Sequence, residues 1–409
     1  MFDRAVREIF AQGGFSAEML ADPAVRPVIE ETYNALNGAI DTAIKTETPP
    51  ELTAALQNNA FIFSGFKTYH SLSEVGLALT DADGKVKPFE TFRKDVEAID
   101  SKYNTNYLFA EYNHALHTSQ MAVKWHDIMQ DGDRYNLQYR TAGDERVRSE
   151  HATLDNTTLP PSDEFWKFYL PPNGWNCRCT VEQVLRDDYP MSDPAVAKAA
   201  GDACTEEPKA RMFRYNAGQE MTIFPKKHPY LPKGCGDCPQ RGKLSLATRP
   251  DRALPQCRAC GEVFRECRRM GEQRLNEWKT TRIPEREGFS IPGENFKTGS
   301  LLITRKSVKG VIAHSLNLAV RDSLLGIEQE AANYRYIGWG ESKVDPDTGR
   351  RKHPEAAFFL YYEIEIGGQT YYANVKAHRG HKAEELYCIR DRCNISELRH
   401  DAPPAVDDW

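Results

Sequence analysis

The chain has no run of about 18 consecutive apolar residues, so a membrane-spanning helix is not expected. Its first residues, MFDRAVREIFAQGG, lack the continuous apolar core of a secretory signal, and cytoplasmic synthesis is the expectation. An excess of basic charge is missing as well. The 53 Lys and Arg against 59 Asp and Glu leave a net charge of -6, which excludes a polyanion-binding role for the chain as a whole. A local basic patch stays open. Ten cysteines could suggest a secreted protein, but several stand at metal-ligand spacing, which fits a reducing cytosol better. Hydrophobic residues at 40% and charged residues at 27% belong to an ordinary globular protein. A length of 409 residues exceeds one ordinary core and predicts several folding units.

The pattern predicts an α+β multidomain protein. Residues 1–135 read as helical. Ala5, Ile9 and Phe10 recur at helical spacing before Gly13 and Gly14 stop the segment. A second helix fits 24–46, ahead of Pro49 and Pro50. The clearest fits 105–129, where Leu108, Tyr112, Ala115, Ala122, Trp125 and Met129 form one stripe, read as a packing face. Residues 136–190 make a separate module, with a strand near Gln138 to Arg140. Residues 191–283 are a connector that includes a helix over 195–203, a cysteine (Cys204) without a partner in spacing, and a basic helical segment over 265–282. An α+β domain spans 298–395, and 396–409 form a tail expected to be mobile.

The stretch 139–184 is the most unusual. It holds DERVRSEH (Asp144 to His151), DEFW (Asp163 to Trp166), PPNGW (Pro171 to Trp175) and a closing Cys-Arg-Cys. Trp166, Phe168 and Trp175 read as core. The segment resembles the phage Mu F-like head morphogenesis family, minor capsid proteins that tailed phages place inside the head at the portal. The family pattern is Asp-x-x-Val-Arg-x-x-His, then Leu-Asp-Gly, then a Pro-Pro turn closing on Cys-x-Cys. Here Asp144, Val147, Arg148, His151, Leu154, Asp155, Pro171, Pro172, Cys177 and Cys179 occupy it. Asn156 stands where the family has Gly, and Asn tolerates the left-handed conformation. The resemblance implies a head-morphogenesis role, portal and capsid partners, synthesis in the cytoplasm of a bacterial host and a place inside the virion. His151, Cys177 and Cys179 also supply three ligands of the type zinc prefers, with Asp144 as the candidate fourth. The alternative is a histidine bonded to a turn and two buried thiols.

A second cysteine set is sharper in spacing. Cys235 and Cys238 are followed, after 18 residues, by Cys257 and Cys260. Two Cys-x-x-Cys knuckles at this separation can close a structural four-thiolate Zn2+ site, a zinc-ribbon-like segment. Disulfides or free thiols are the alternative, and Cys267 could substitute for one ligand. Lys226, Lys227, Lys233, Arg241, Lys243, Arg249 and Arg252 make the surroundings basic, as a solvated face or a nucleic-acid contact.

Within 298–395, Ser307 can cap a helix running to about 325, and 334–339 read as a strand. FFLYYEIEI, Gly367-Gly368 and QTYYANVKAH form a hairpin with a two-residue turn. That turn pairs Ile366 with Gln369, Ile364 with Tyr371, Glu363 with Tyr372 and Tyr361 with Asn374. Phe358, Leu360, Tyr362, Ile364, Ala373 and Val375 then share an apolar face. The opposite face collects Glu363, Tyr361, Tyr372, Asn374, Lys376 and His378. A carboxylate, an imidazole, a cation and aromatic rings on one surface suit metal-free RNA cleavage. The order of a helix and then an antiparallel sheet resembles the barnase–colicin–RelE-like nuclease class, whose phage members are often fused behind Mu F-like modules. That resemblance implies Glu363 or His314 as base, His378 as acid, Lys376 and Arg379 on phosphate, Tyr361 beside them, RNA or packaged DNA as a target, and an immunity partner for a toxin-type activity. The competing readings are an inactive structural domain and a zinc-ribbon nucleic-acid binder.

Overall fold

Helix α1 (Phe2–Gln12) buries Phe2, Ala5, Val6 and Ile9 on one stripe and stops where Gly13 turns to φ 73°, the left-handed cap that glycine adopts without steric cost. Helix α2 (Arg26–Ala43) starts with a proline in its first turn. It packs against α5 (Leu108–Asp131). Between them lie α3 (Pro50–Ala78) and α4 (Phe89–Ser101). The computed structural model describes residues 1–232, 234–235, 238, 255–342, 344, 347–379 and 383–405. These divide into two units: Met1–Thr48 with Ala55–Cys267, and Pro49–Ala54 with Arg268–Trp409. No helix among the described residues is long and apolar enough to cross a membrane.

The buried face of α5 differs from the expected stripe. Ala115, Ala122 and Trp125 are buried, but Leu108 and Tyr112 are only half-buried and Met129 is 51% exposed. Polar residues take the missing places: Glu111, His114, Thr118 and Ser119 face inward. Each of the first three has a hydrogen-bond partner there. His114 Nε2 lies 3.2 Å from the Tyr215 hydroxyl and 3.3 Å from Thr118 Oγ1. Lys67 of α3 donates to Glu111 at 2.6 Å, with both side chains almost fully buried. The Tyr230 hydroxyl donates to the other carboxylate oxygen. Burial pulls the Lys67 pKa down and the Glu111 pKa up, and their pairing opposes both shifts.

A three-stranded antiparallel sheet follows, in the order β2-β1-β3. Its centre is β1 (Tyr135–Arg140), flanked by β2 (Thr158–Leu159) and β3 (Thr180–Leu185). Short helices α6 (Ser149–Ala152) and α7 (Phe165–Tyr169) lie in the connections, and α8 (Pro194–Cys204) and α9 (Ala217–Glu220) come after. Leu137, Tyr139, Leu154, Leu159, Trp166 and Val181 form the core of this module. The Asp193 side chain caps α8 by accepting from Ala195 and Val196 N–H. The next helix, α10, is Pro255–Arg282.

The C-terminal unit is built on a six-stranded sheet. The strands are β4 (Phe289–Pro292), β5 (Ser300–Ile303), β6 (Arg335–Glu341), β7 (Ala356–Ile366), β8 (Gln369–His378) and β9 (Glu384–Arg390). Their order is β4-β5-β9-β8-β7-β6. The sheet is mixed rather than antiparallel, because β5 pairs with β9 in parallel. The β7–β8 register is the one expected from the Gly-Gly turn, including Ile366 with Gln369 and Tyr361 with Asn374. The predicted apolar face is buried as a set in one core. The expected long helix is broken into α11 (Arg305–His314) and α12 (Leu318–Asp322), followed by α13 (Ile327–Glu330). Its cap is Thr304, with Ser307 completing a capping box three residues on. The break falls where Ser315 turns extended and Asn317 caps α12 with its own side chain. Helix α11 packs on β9 at Gly310, where a Cβ would stand 2.0 Å from the Tyr387 carbonyl oxygen.

Removing one partner of the Lys67–Glu111 pair strands a buried charge. Lys67→Met is expected to lower stability by about 3–5 kcal/mol, and adding Glu111→Gln should recover part of the loss. Chemical denaturation of the three proteins measures both steps. A single variant as stable as the parent would contradict a buried, paired charge.

Candidate functional site

The signature segment closes on itself around β1. Tyr139 is fully buried, and its hydroxyl donates to Asn173 Oδ1 at 2.8 Å. Asn156 N–H donates to the Tyr139 carbonyl at 2.9 Å while Asn156 sits at φ 64°. This left-handed position is the one where the family pattern has glycine. Its side chain accepts from Arg140 at 2.7 Å. Asp155 accepts from the Thr141 N–H at 2.8 Å and binds its hydroxyl at 3.0 Å. Arg148 donates to the Trp175 carbonyl at 2.7 Å. Asp144, the candidate fourth metal ligand, is instead gripped by both terminal nitrogens of Arg178, at 2.8 and 2.6 Å. Those hydrogen bonds hold its carboxyl far below the usual carboxylate range. A carboxylate engaged on both oxygens is not free to turn toward a metal.

His151, Cys177 and Cys179 do come together. The His151 Nδ1 lies 3.6 Å from Cys177 Sγ and 3.7 Å from Cys179 Sγ, and all three residues are buried. Among the described residues this is the group of metal-ligand side chains whose ligand atoms all fall within 4.8 Å of one another. Burial works against the charged imidazole, but the sulfurs of Cys179 and Cys204 hold its pKa up at about 9. Cys204, which the spacing left without a partner, is buried in the same core but lies outside the group of three. A cleft of about 510 Å3 opens beside the cluster, edged by Phe109, Asn113, His117, Arg146, Arg148 and Arg178. His117 Nδ1 lies 2.9 Å from the Cys177 carbonyl, so α5 also fixes the Cys-x-Cys loop.

The second cysteine set is only partly in view. Cys235, Cys238 and Cys257 are half-buried and Cys260 is buried. The joining segment 239–254 lies outside the described residues, with Arg241, Lys243, Arg249 and Arg252; Lys233 does too. The four-thiolate Zn2+ site therefore remains an expectation from spacing. Cys257 and Cys260 stand in the first turns of α10 rather than in a turn-like knuckle. A three-residue spacing still puts them on one helix face. Cys267 is buried further along α10 with its thiol 3.7 Å from the Asn58 carbonyl.

On the C-terminal sheet the predicted catalytic residues separate. Glu363 pairs with Arg335 near the turn end of the hairpin, four residue positions from the partner of Lys376 on β7. It does not join His378, because a strand rises about 3.3 Å per residue and spreads residues along its length. Tyr361 is half-buried opposite Asn374, and the Arg379 side chain is exposed. His314, at the end of α11, lies 3.1 Å from the Tyr387 hydroxyl, with its pKa lowered by burial. Lys376 bonds Glu355 at 2.6 Å and lies 4.6 Å from the centre of the Tyr387 ring. His378 instead hydrogen-bonds Glu385, which also accepts from the Thr304 hydroxyl. Burial raises the Glu385 pKa, but these two bonds outweigh it and keep the group acidic. A shallow cleft of about 270 Å3 adjoins this pair, with Thr304, Arg305 and Lys306 on its wall. Glu385 and Tyr387 were missed because the hairpin register was not carried across to β9, where Lys376 pairs with Glu385, and Glu355 because it stands just before β7.

The left-handed residue gives a direct check on the signature loop. Asn156→Gly is expected to leave stability within about 0.5 kcal/mol, since the loss of the Arg140 contact is offset by an easier backbone, whereas Asn156→Val should cost about 1–2 kcal/mol. Thermal unfolding of the two variants compares them; equal midpoints would contradict the strain argument.

Comparison with known proteins agrees with this geometry. Residues 75–182, from the end of α3 into β3, match the family "Phage Mu protein F like protein". The putative capsid assembly protein F of Escherichia phage Mu is 42% identical over 144 residues, 33% of this chain and 30% of the Mu protein. The Mu-like prophage FluMu F protein of Haemophilus influenzae is 26% identical over 91 residues, 22% of each chain. The matches thus span less than a third of either relative. No solved structure matches. Residues 75–182, with the α5 spine and the β1-centred signature loop, are a phage Mu F-like domain.

Proposed function

We propose that this protein acts in the assembly of a phage or prophage head, where it joins portal and capsid proteins and is packaged in the virion. The observation that carries the reading is the Mu F-like domain itself: residues 75–182 match the family, and the Mu relative bears the name of a capsid assembly protein. The signature residues spend their polar groups on closing their own loop, which supports a scaffold for docking rather than a reaction centre. The test is co-expression of the full chain with the portal and major capsid proteins of its own phage. Co-elution with one of them, and loss of infectious particles when the gene is interrupted, is the expected result. Failure to associate with either, with normal particle yield from the interrupted phage, would overturn the proposal.

A second reading rests on a separate observation, the His378–Glu385 pair beside Arg305 and Lys306. In this reading the C-terminal unit cleaves RNA without a metal. Glu385 takes the ribose 2′-hydroxyl proton, His378 protonates the leaving oxygen, and Arg305, Lys306 and Lys376 offset the charge on the phosphorane. Glu385 replaces Glu363 in the base role because it is the carboxylate within reach of His378. The full chain should cleave a single-stranded RNA in the presence of EDTA. His378→Ala and Glu385→Gln should each slow cleavage by about 10²-fold or more. Absence of cleavage by the folded parent, or rates unchanged in both variants, would leave the C-terminal unit as a structural part of the head protein.

A further inference from the structure

His151, Cys177 and Cys179 crowd three ligand atoms into a space that hydrogen bonding does not explain. All three residues are buried, and the atoms lie within 4.8 Å of one another. The imidazole Nδ1 stands 3.6 Å from the Cys177 sulfur and 3.7 Å from the Cys179 sulfur. One Nδ1 carries a single in-plane lone pair or a single N–H, so it serves one sulfur and not two. A cation between the three atoms satisfies all of them at once.

We infer that His151, Cys177 and Cys179 hold a zinc ion whose fourth position opens into the adjoining cleft, where an exchangeable water or small anion completes the tetrahedron. The spacing is the one a metal needs. Bonds of about 2.3 Å to sulfur and about 2.0–2.1 Å to nitrogen, set at a tetrahedral angle, put sulfur and nitrogen about 3.6 Å apart. Two thiolates and an imidazole with one open position are a ligand set that zinc adopts, and soft sulfur selects against magnesium and calcium. The protein fixes the ligands before any ion arrives. His151 belongs to α6. The Cys177 N–H donates to the Gly174 carbonyl at 3.2 Å, and the Cys177 carbonyl lies 2.9 Å from His117 Nδ1. Cys179 directly precedes β3, whose first residue, Thr180, pairs with Arg140 of β1.

The open position follows from the surroundings. Asp144 keeps both carboxylate oxygens on Arg178, so it does not close the shell. The cleft of about 510 Å3 is lined by all three ligands, and a fourth ligand enters from there. Zn2+ with two thiolates is neutral, so an anion can join it without a build-up of charge. Arg146, Arg148 and Arg178 line the same cleft, against the single carboxylate of Asp144 that Arg146 and Arg178 share. A wall of that charge favours a negative fourth ligand, such as hydroxide or a small anion, over a neutral one. The zinc also ties α6 to the Cys-x-Cys loop, so its binding adds to the folding free energy of the signature segment.

The experiment uses the full chain carrying Cys235→Ser and Cys238→Ser, which breaks up the other candidate thiolate set. After expression with zinc, this protein should retain one zinc per chain by elemental mass spectrometry. X-ray absorption should report two sulfurs and two lighter ligands around it. With cobalt in place of zinc, added azide should shift the visible absorption bands, as an exchangeable position requires. Adding Cys179→Ser should lower the sulfur count to one and weaken zinc retention against a chelator by about tenfold or more, since even changes behind the ligands cost about 10–100-fold. A zinc-free protein overturns the inference. So does a shell of three or four sulfurs, or a cobalt spectrum that azide leaves unchanged. The shell and the azide response decide the matter alone if the Cys179→Ser variant does not fold.

Discussion

A lysine and a glutamate buried together inside the helical part of the chain constrain most of what surrounds them. Lys67 and Glu111 lie far apart in sequence, and Tyr230 lies further still, yet all three meet in one hydrogen-bonded group. Neither charge is tolerable there alone, because desolvation of an unpaired ion costs several kcal/mol. The pair therefore fixes the rotation of α3 against α5. Once α5 is set, the rest of its inward face is set with it. His114 meets Tyr215 and the Ile223 carbonyl, and His117 meets the Cys177 carbonyl. Met121, Trp125 and Ile128 enter the core of the signature module. One helix thus carries the register from the buried ion pair to the Cys-x-Cys loop.

This arrangement gives the family motif a physical meaning. Asp144 binds Arg178, Arg148 holds the Trp175 carbonyl, Asp155 holds Thr141, and Asn156 takes a left-handed turn that lets its N–H reach Tyr139. Each residue stitches one part of a long irregular segment to another, which such a segment requires because it has few ladder hydrogen bonds of its own. A pattern of this kind can be retained for shape alone. The three-ligand cluster is the exception, since packing does not require an imidazole among several thiols.

The C-terminal unit follows a different logic. Its core is the apolar face of β7 and β8 with the helices over it, and its polar groups gather where β8, β9 and the start of α11 approach one another. Gly310 allows that approach, since any side chain would strike the Tyr387 carbonyl. The result brings Thr304, His378 and Glu385 together from three separate segments.

Local rules carried the sequence reading where the structure is local. A Gly-Gly turn and strict alternation determined the β7–β8 register and its buried face, because side chains on a strand alternate without exception over a short run. Gly13 and the Mu F-like motif were legible for similar reasons. Helix α3 was not, because residues 60–68 are buried on every side and leave no amphipathic stripe to detect. The stripe on α5 was misplaced because its inward face is partly polar and is satisfied by distant partners. Only the tertiary structure decided that His151 meets Cys177 and Cys179, that Asp144 belongs to Arg178, and that Glu385 rather than Glu363 meets His378. Those choices depend on which elements pack together, and spacing along one chain carries no record of the distance across a core.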